Sequence, residues 1–157
     1  YLAMLGIPVV PAAEYPMESK TVVLGVQAAH DPALLEKVRA HQKRGARVAM
    51  TASLMDRVQA PPGVIRLDLH TFTDQDFLDA KEFLLSPREL AMMRMPREEA
   101  DALRKKLGVE LSAPVGIAYY RFGNDEAFYS FLDAGTVVRL RGKAIKVPAH
   151  AFQWVKR

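Results

Sequence analysis

The sequence predicts an α/β chain, a parallel-sheet segment followed by a short antiparallel β unit. Three observations predict it. Short β-branched runs in the first half lack the alternation of half-exposed strands, as expected of parallel strands covered on both faces. A well-punctuated helix stands between two of these runs. From Pro114 onward, strand-length segments are separated by turn residues at short, regular intervals, the pattern of a meander or small sandwich.

The segment Tyr1 to Leu5 reads as the last turn of a helix closed by Gly6. Ile7 to Val10 reads as a short buried strand, Pro11 to Pro16 as loop, and Thr21 to Leu24 as the next strand. The helix that follows has Asp31 as N-cap, Pro32 in its first turn and Leu34, Leu35 and Val38 as its apolar stripe. Lys43 and Arg44 fill its last turn, and Gly45 ends it. Ala46 to Met50 comes next as a strand. Strand, helix and strand in this order make a βαβ unit, and a right-handed crossover to a parallel neighbour follows.

Thr51 to Val58 predicts a short helix stopped before Pro61-Pro62-Gly63, and Val64 to Leu67 a further strand. A helix is expected from Asp74 to Leu85, with Thr73 as N-cap, Asp76 in the manner of a capping box, and Ser86-Pro87 as its break. Another begins at Pro96, carries Glu98 and Glu99 in its first turn, buries Ala100, Leu103 and Leu107, and ends at Gly108. Strands then follow over Val115–Phe122, Glu126–Leu132, Thr136–Arg141, Ala144–Val147 and Ala151–Val155. The composition changes near 108–114, so the expected domains are 1–110, α/β, and 111–157, antiparallel β.

Composition removes several chemistries. The chain has no cysteine, which excludes disulfides, thiolate nucleophiles and cysteine-ligated metals. Its 157 residues contain no apolar run of the roughly 18 that a spanning helix needs. The formal charge is +4, but the cations are scattered. Lys43, Arg44 and Arg47 form one group, Arg104, Lys105 and Lys106 a second, and Arg139, Arg141 and Lys143 a third. Each sits where a helix end or an edge strand favours it. No nucleic-acid partner is expected from this distribution. No phosphate-binding glycine loop is present, so no nucleotide cofactor is expected.

Candidate ligand-binding residues cluster at the C-terminal ends of the predicted parallel strands, where open α/β sheets place ligands. They are His30 and Asp31 after one strand, and Thr51 and Ser53 after another. His30 beside a carboxylate can act as a general base, yet capping explains Asp31 fully and leaves His30 an ordinary loop residue. Ser53 lacks the flanking glycines of a nucleophile elbow, and either Thr51 or Ser53 serves as a helix cap. No catalytic residue is assigned. Asp68, His70, Asp74, Asp76 and Asp79 lie close in sequence but match no metal-binding spacing, so no metal is expected. The methionine-rich run Leu90 to Met95 reads as a connection over a core rather than an adaptable binding surface. Tyr120 and Phe122 share one strand face, as do Phe152 and Trp154, and these aromatics are expected in the core. The other reading is an aromatic platform for sugars.

The order Tyr1-Leu-Ala-Met-Leu-Gly-Ile-Pro-Val9, Thr21-Val-Val-Leu24, and Leu34 through Gly45-Ala-Arg-Val-Ala-Met-Thr51 resembles the class I glutamine-amidotransferase-like fold. The resemblance is to the non-catalytic version found as the β-galactosidase trimerisation domain and in related bacterial glycoside-hydrolase-like proteins. Thr51-Ala-Ser53 departs from the glycine-containing turn of that family. Gly116 to Asn124, Phe128 to Phe131, Val137 to Leu140 and Val147 to Trp154 resemble the small β domain that ends such proteins. The resemblance implies a flavodoxin-like parallel sheet lacking its first strand, as in a C-terminal fragment of a longer chain. It also implies an accessory or assembly module of a carbohydrate-active protein, in a periplasmic or secreted setting. The partners it implies are an upstream domain, a second copy or a carbohydrate. The alternative is a small hydrolase or ligand-binding protein working near His30 and Ser53. Glutamine hydrolysis by the family's cysteine route is excluded.

Overall fold

A computed structural model describes residues 2–68 and 95–156. The chain forms two compact units, Pro11–Leu69 as one, and Tyr1–Val10 together with His70–Arg157 as the other. The expected helix at Asp74–Leu85, the residues His70, Asp74, Asp76 and Asp79, and all of the methionine-rich run but Met95 lie outside the described residues.

The first unit is the predicted βαβ arrangement with one strand added. Strands β1 (Thr21–Leu24), β2 (Arg47–Thr51) and β3 (Ile65–Leu67) form a parallel sheet in the order β1-β2-β3. Helix α1 (Leu34–Lys43) crosses between β1 and β2. It begins slightly later than Asp31 and Pro32 suggest, because those residues make the turn that enters it. The Asp31 carboxylate accepts the Ala33 backbone N–H at 2.9 Å. At the other end Gly45 has φ +80°, Ala46 N–H bonds the His41 carbonyl, and Gly45 N–H bonds that of Gln42. This is a Schellman closure, and it turns the chain straight into β2. Val22, Leu24, Val48 and Met50 meet Leu34, Val38 and Leu54 in one core. Leu54 belongs to α2 (Ala52–Met55), a single turn after β2.

The second unit holds two three-stranded antiparallel sheets. Strands β4 (Leu111–Ser112), β7 (Thr136–Leu140) and β8 (Lys143–Val147) make one, in the order β4-β7-β8. Strands β5 (Ile117–Phe122), β6 (Asp125–Ser130) and β9 (Phe152–Lys156) make the other, in the order β5-β6-β9. Leu111, Val138, Leu140 and Val147 from the first sheet share a core with Ile117, Tyr119 and Phe128 from the second. The two sheets are thus the layers of a small sandwich.

Two expectations require correction. Ile7 to Val10 forms no strand, and Val9 and Val10 are exposed although Ile7 is buried. Pro8 and Pro11 flank these valines and can donate no backbone hydrogen bond to a ladder. The two compact units also do not divide at residues 110 and 111. Helix α3 (Arg97–Lys106) and the N-terminal segment belong with the β sandwich. The reason is a set of long-range bonds. Arg104 Nε donates to the Leu5 carbonyl at 2.6 Å, Arg104 Nη1 to the Ala113 carbonyl at 2.8 Å, and Gly116 N–H to the Met4 carbonyl at 3.1 Å. The segment Ala3–Leu5 is a single 3-10 turn closed by Gly6 at φ +68°. A Cβ on Gly6 would lie 2.6 Å from the Leu111 side chain, so only glycine fits this approach.

Candidate functional site

The four candidates at the parallel-sheet edge each satisfy a local bond or none. Asp31 Oδ2 receives Lys37 Nζ at 2.7 Å, and its pKa is held below the usual carboxylate range by that bond and by the Ala33 N–H. Thr51 occupies the N-cap position of α2, but its hydroxyl lies 3.2 Å from the Ser53 hydroxyl instead of bonding the helix backbone. His30 ends the 3-10 helix Val26–His30 and is exposed. Among the described residues no hydrogen bond joins His30 to Ser53 or to Asp31. A base that does not reach its nucleophile cannot activate it. No group of three or more metal-ligating side chains gathers among the described residues. Asp68 instead pairs with Arg66 at 2.7 Å.

Three buried polar groups lie outside the candidates drawn from the sequence, and each is structural. Arg104 is fully buried in α3, bound to two carbonyls and to Asp101, and its Nη2 has no partner. Burial pulls its pKa below the ordinary guanidinium value, and Asp101 opposes that shift. His41, buried on α1, has Nε2 at 2.6 Å from the Ser19 carbonyl and Nδ1 at 3.1 Å from the Tyr15 hydroxyl. A carbonyl only accepts, so Nε2 carries a proton toward Ser19, and Nδ1 shares a hydrogen bond with the Tyr15 hydroxyl. Both nitrogens are therefore used. The shallow cleft beside His41, where Arg44 pairs with Glu18 at 2.8 Å, offers no free buried group to a ligand. Glu126 on β6 is also buried. It receives Arg141 through two bonds and the Tyr119 O–H at 2.5 Å. The Arg141 bonds hold the Glu126 pKa low, while burial, reinforced by the carboxylate, pushes the Tyr119 phenol up to about 12.

The outer face of the β5-β6-β9 sheet is different in kind. Strand register places Ala118, Tyr129 and Phe152 in one row, Tyr120, Ala127 and Trp154 in the next, and Phe122, Asp125 and Lys156 in the third. Paired residues share a sheet face, so aromatics crowd this one. Tyr119 and Phe128, one position out of phase, stack at 4.9 Å inside the sandwich. The expectation that Tyr120, Phe122, Phe152 and Trp154 form core is therefore corrected. Phe122 and Phe152 are each 55% exposed and Trp154 58%.

Four of these rings make a closed tile. Centroids lie 6.1 Å apart for Tyr120–Phe122, 5.9 Å for Phe122–Trp154, and 6.4 Å for both Phe152–Trp154 and Tyr120–Phe152. Tyr120 and Phe122 stand on β5, Phe152 and Trp154 on β9, with β6 between them. Outer strands of such a trio are about 10 Å apart, so the rings lean inward to meet. They can do so because the central residue beneath them is Ala127, which is completely covered. Tyr129 extends the array, 4.8 Å from Phe152 and 4.8 Å from Phe131.

No family model, curated protein or solved structure matches the chain.

Proposed function

We infer that the chain is a non-catalytic accessory module that works by binding, in the service of a larger carbohydrate-active protein. The four-ring tile on the β5-β6-β9 sheet is its working surface. The observation that carries this reading is the exposure of Phe122, Phe152 and Trp154 together on one sheet face. Large contiguous apolar patches on a protein surface mark interaction sites. That His30 is bonded to neither Ser53 nor Asp31 among the described residues, while Asp31 is held by Lys37 and Ala33, supports the non-catalytic reading. In this reading the parallel sheet is a flavodoxin-like, amidotransferase-like scaffold, consistent with its βαβ order and the lack of a cysteine nucleophile. An upstream domain or a second copy of the chain would complete the assembly. No described helix is long and apolar enough to cross a membrane.

The test is a hydrolysis screen on chromogenic glycosides and esters, with wild type, His30→Ala and Ser53→Ala compared. Background rates in all three are expected. Turnover by wild type that both substitutions abolish would overturn the reading in favour of a hydrolase at the sheet edge.

A further inference from the structure

We propose that the aromatic tile of Tyr120, Phe122, Phe152 and Trp154 is a binding platform for a neutral saccharide chain. This deepens the reading of the chain as a binding module and rests on it. The three rows carry six-membered and indole rings, two alanines and one charged pair, and no leucine, isoleucine, valine or methionine. Core-forming faces elsewhere in this unit are built from those aliphatic residues together with aromatics, as Leu111, Val138, Leu140 and Val147 show. A surface made to be buried against another protein layer would be expected to resemble them.

Charge narrows the ligand. Asp125 and Lys156 stand in register beside Phe122, at one end of the tile, and both are exposed. Neither makes an ion pair among the described residues, so one carboxylate and one ammonium are available there. Their charges cancel. A phosphate backbone needs a groove of net positive charge beside its stacking rings, and this face does not supply one. A neutral polyhydroxylated chain needs both a donor and an acceptor, and finds them in this pair. The rings themselves add polar edges. Tyr120, Tyr129 and Trp154 have no side-chain hydrogen-bond partner among the described residues, which leaves two phenol O–H groups and an indole N–H unengaged on residues of this face.

The shape of the tile agrees. Interplanar angles of 19° for Tyr120–Phe122 and 25° for Phe152–Trp154 make each strand's pair nearly parallel. These two pairs are stacked, the cross-strand pairs Tyr120–Phe152 and Phe122–Trp154 are tilted by 43° and 38°, and the exposed parts of Phe122, Phe152 and Trp154 together form the apolar surface. A pyranose unit has an apolar C–H face and an equator of hydroxyls. Its apolar face can pack on the exposed rings while its hydroxyls bond the polar groups of this sheet face. Ligand sites generally combine apolar walls with a few placed polar groups in this way. Ala127 is a positioning residue here, because any larger side chain would lift the rings apart.

The experiment is affinity electrophoresis of the whole chain in gels cast with glucomannan, galactomannan, xyloglucan, laminarin or dextran. An oligothymidylate shift assay and sedimentation over a range of protein concentrations run alongside. At least one neutral polysaccharide should retard the protein. Phe122→Ser and Trp154→Ser should each weaken that retardation at least tenfold, with unchanged circular dichroism. Ala127→Leu should weaken it while every ring is retained. Wild-type mobility unaffected by all five polysaccharides would overturn the proposal, as would retardation that survives both serine substitutions. Binding to oligothymidylate alone, or self-association lost in Trp154→Ser without polysaccharide binding, would overturn the saccharide while leaving a non-catalytic binding module. Degradation of a polysaccharide would instead overturn the module reading itself.

Discussion

Arg104 looks in the sequence like one of three cations at a helix end, beside Lys105 and Lys106. Its register says otherwise, since it falls four residues after Ala100 and three before Leu107, on the apolar stripe of α3. The same is true of His41, which continues the stripe of Leu34 and Val38 on α1. A polar residue in a helix's apolar register is therefore a usable signal, and the bonding it will find is not, because the Leu5 and Ala113 carbonyls come from elsewhere in the chain. Arg104→Met should destabilise the protein by roughly 3 kcal/mol, because it strands the Leu5 and Ala113 carbonyls and removes one of the partners of Asp101. Urea denaturation checks this, and Arg104→Lys should recover only part of the loss, since an ammonium cannot reproduce the planar fork.

Glu126 carries a pH dependence whose sign follows from its bonds. Arg141 first, and Tyr119 after it, favour the ionised carboxylate in the folded state and lower its pKa. The stabilisation is thus fully present above the unfolded carboxylate value of about 4.3, and is lost as pH falls through the lower folded value. Glu126→Gln should cost about 2 kcal/mol at neutral pH and flatten the acid limb of a stability–pH curve. An unchanged acid limb in that variant would show that other carboxylates set it.

At the scale of elements, helix punctuation was readable and strand phase was not. Gly45 and Gly108 were placed correctly as helix ends because a left-handed C′ position admits little else. Both have positive φ, and each closes its helix in the same way, with Val109 N–H returning to the Arg104 carbonyl at 2.8 Å. Nothing lies within 4 Å of a Cβ built on Gly45. Gly45→Ala should therefore cost only the backbone strain, about 1 kcal/mol, read as a fall in urea midpoint. The β sandwich defeated local reading because both phases of β5 and β6 carry aromatics. Tyr119 and Phe128 alternate with Tyr120 and Tyr129, and hydrophobic pattern alone cannot say which set faces in. Buried Glu126 shares the phase of Phe128, so even polarity misleads there. The phases separate cleanly on truncation. Phe128→Ala should cost about 3 to 5 kcal/mol as a core cavity, whereas Phe152→Ala, losing mainly ring–ring contact, should cost no more than about 1.5 kcal/mol.

For the whole molecule, the α/β class, the βαβ unit and the antiparallel character of the C-terminal part were legible from short-range pattern. The grouping of Tyr1–Val10 and α3 with the sandwich was not, because it depends on bonds between residues about a hundred positions apart. At the parallel-sheet edge, Thr51 holds the N-cap position of α2 without a side-chain cap bond, Asp31 lies ahead of the Ala33 N-cap of α1, and His30 ends a 3-10 helix. The aromatic face that stands out in the fold reads as core in the sequence, because local pattern does not fix strand phase. The aromatic face stands open in the free chain, with Trp154 58% exposed. Trp154 is the sole tryptophan, so acrylamide quenching of intrinsic fluorescence reports on that face and nothing else. An open face gives solvent-like emission, quenched freely and to the same degree across protein concentrations. Blue-shifted emission shielded from acrylamide even in dilute protein would contradict it, because the tile would then be covered by the chain itself.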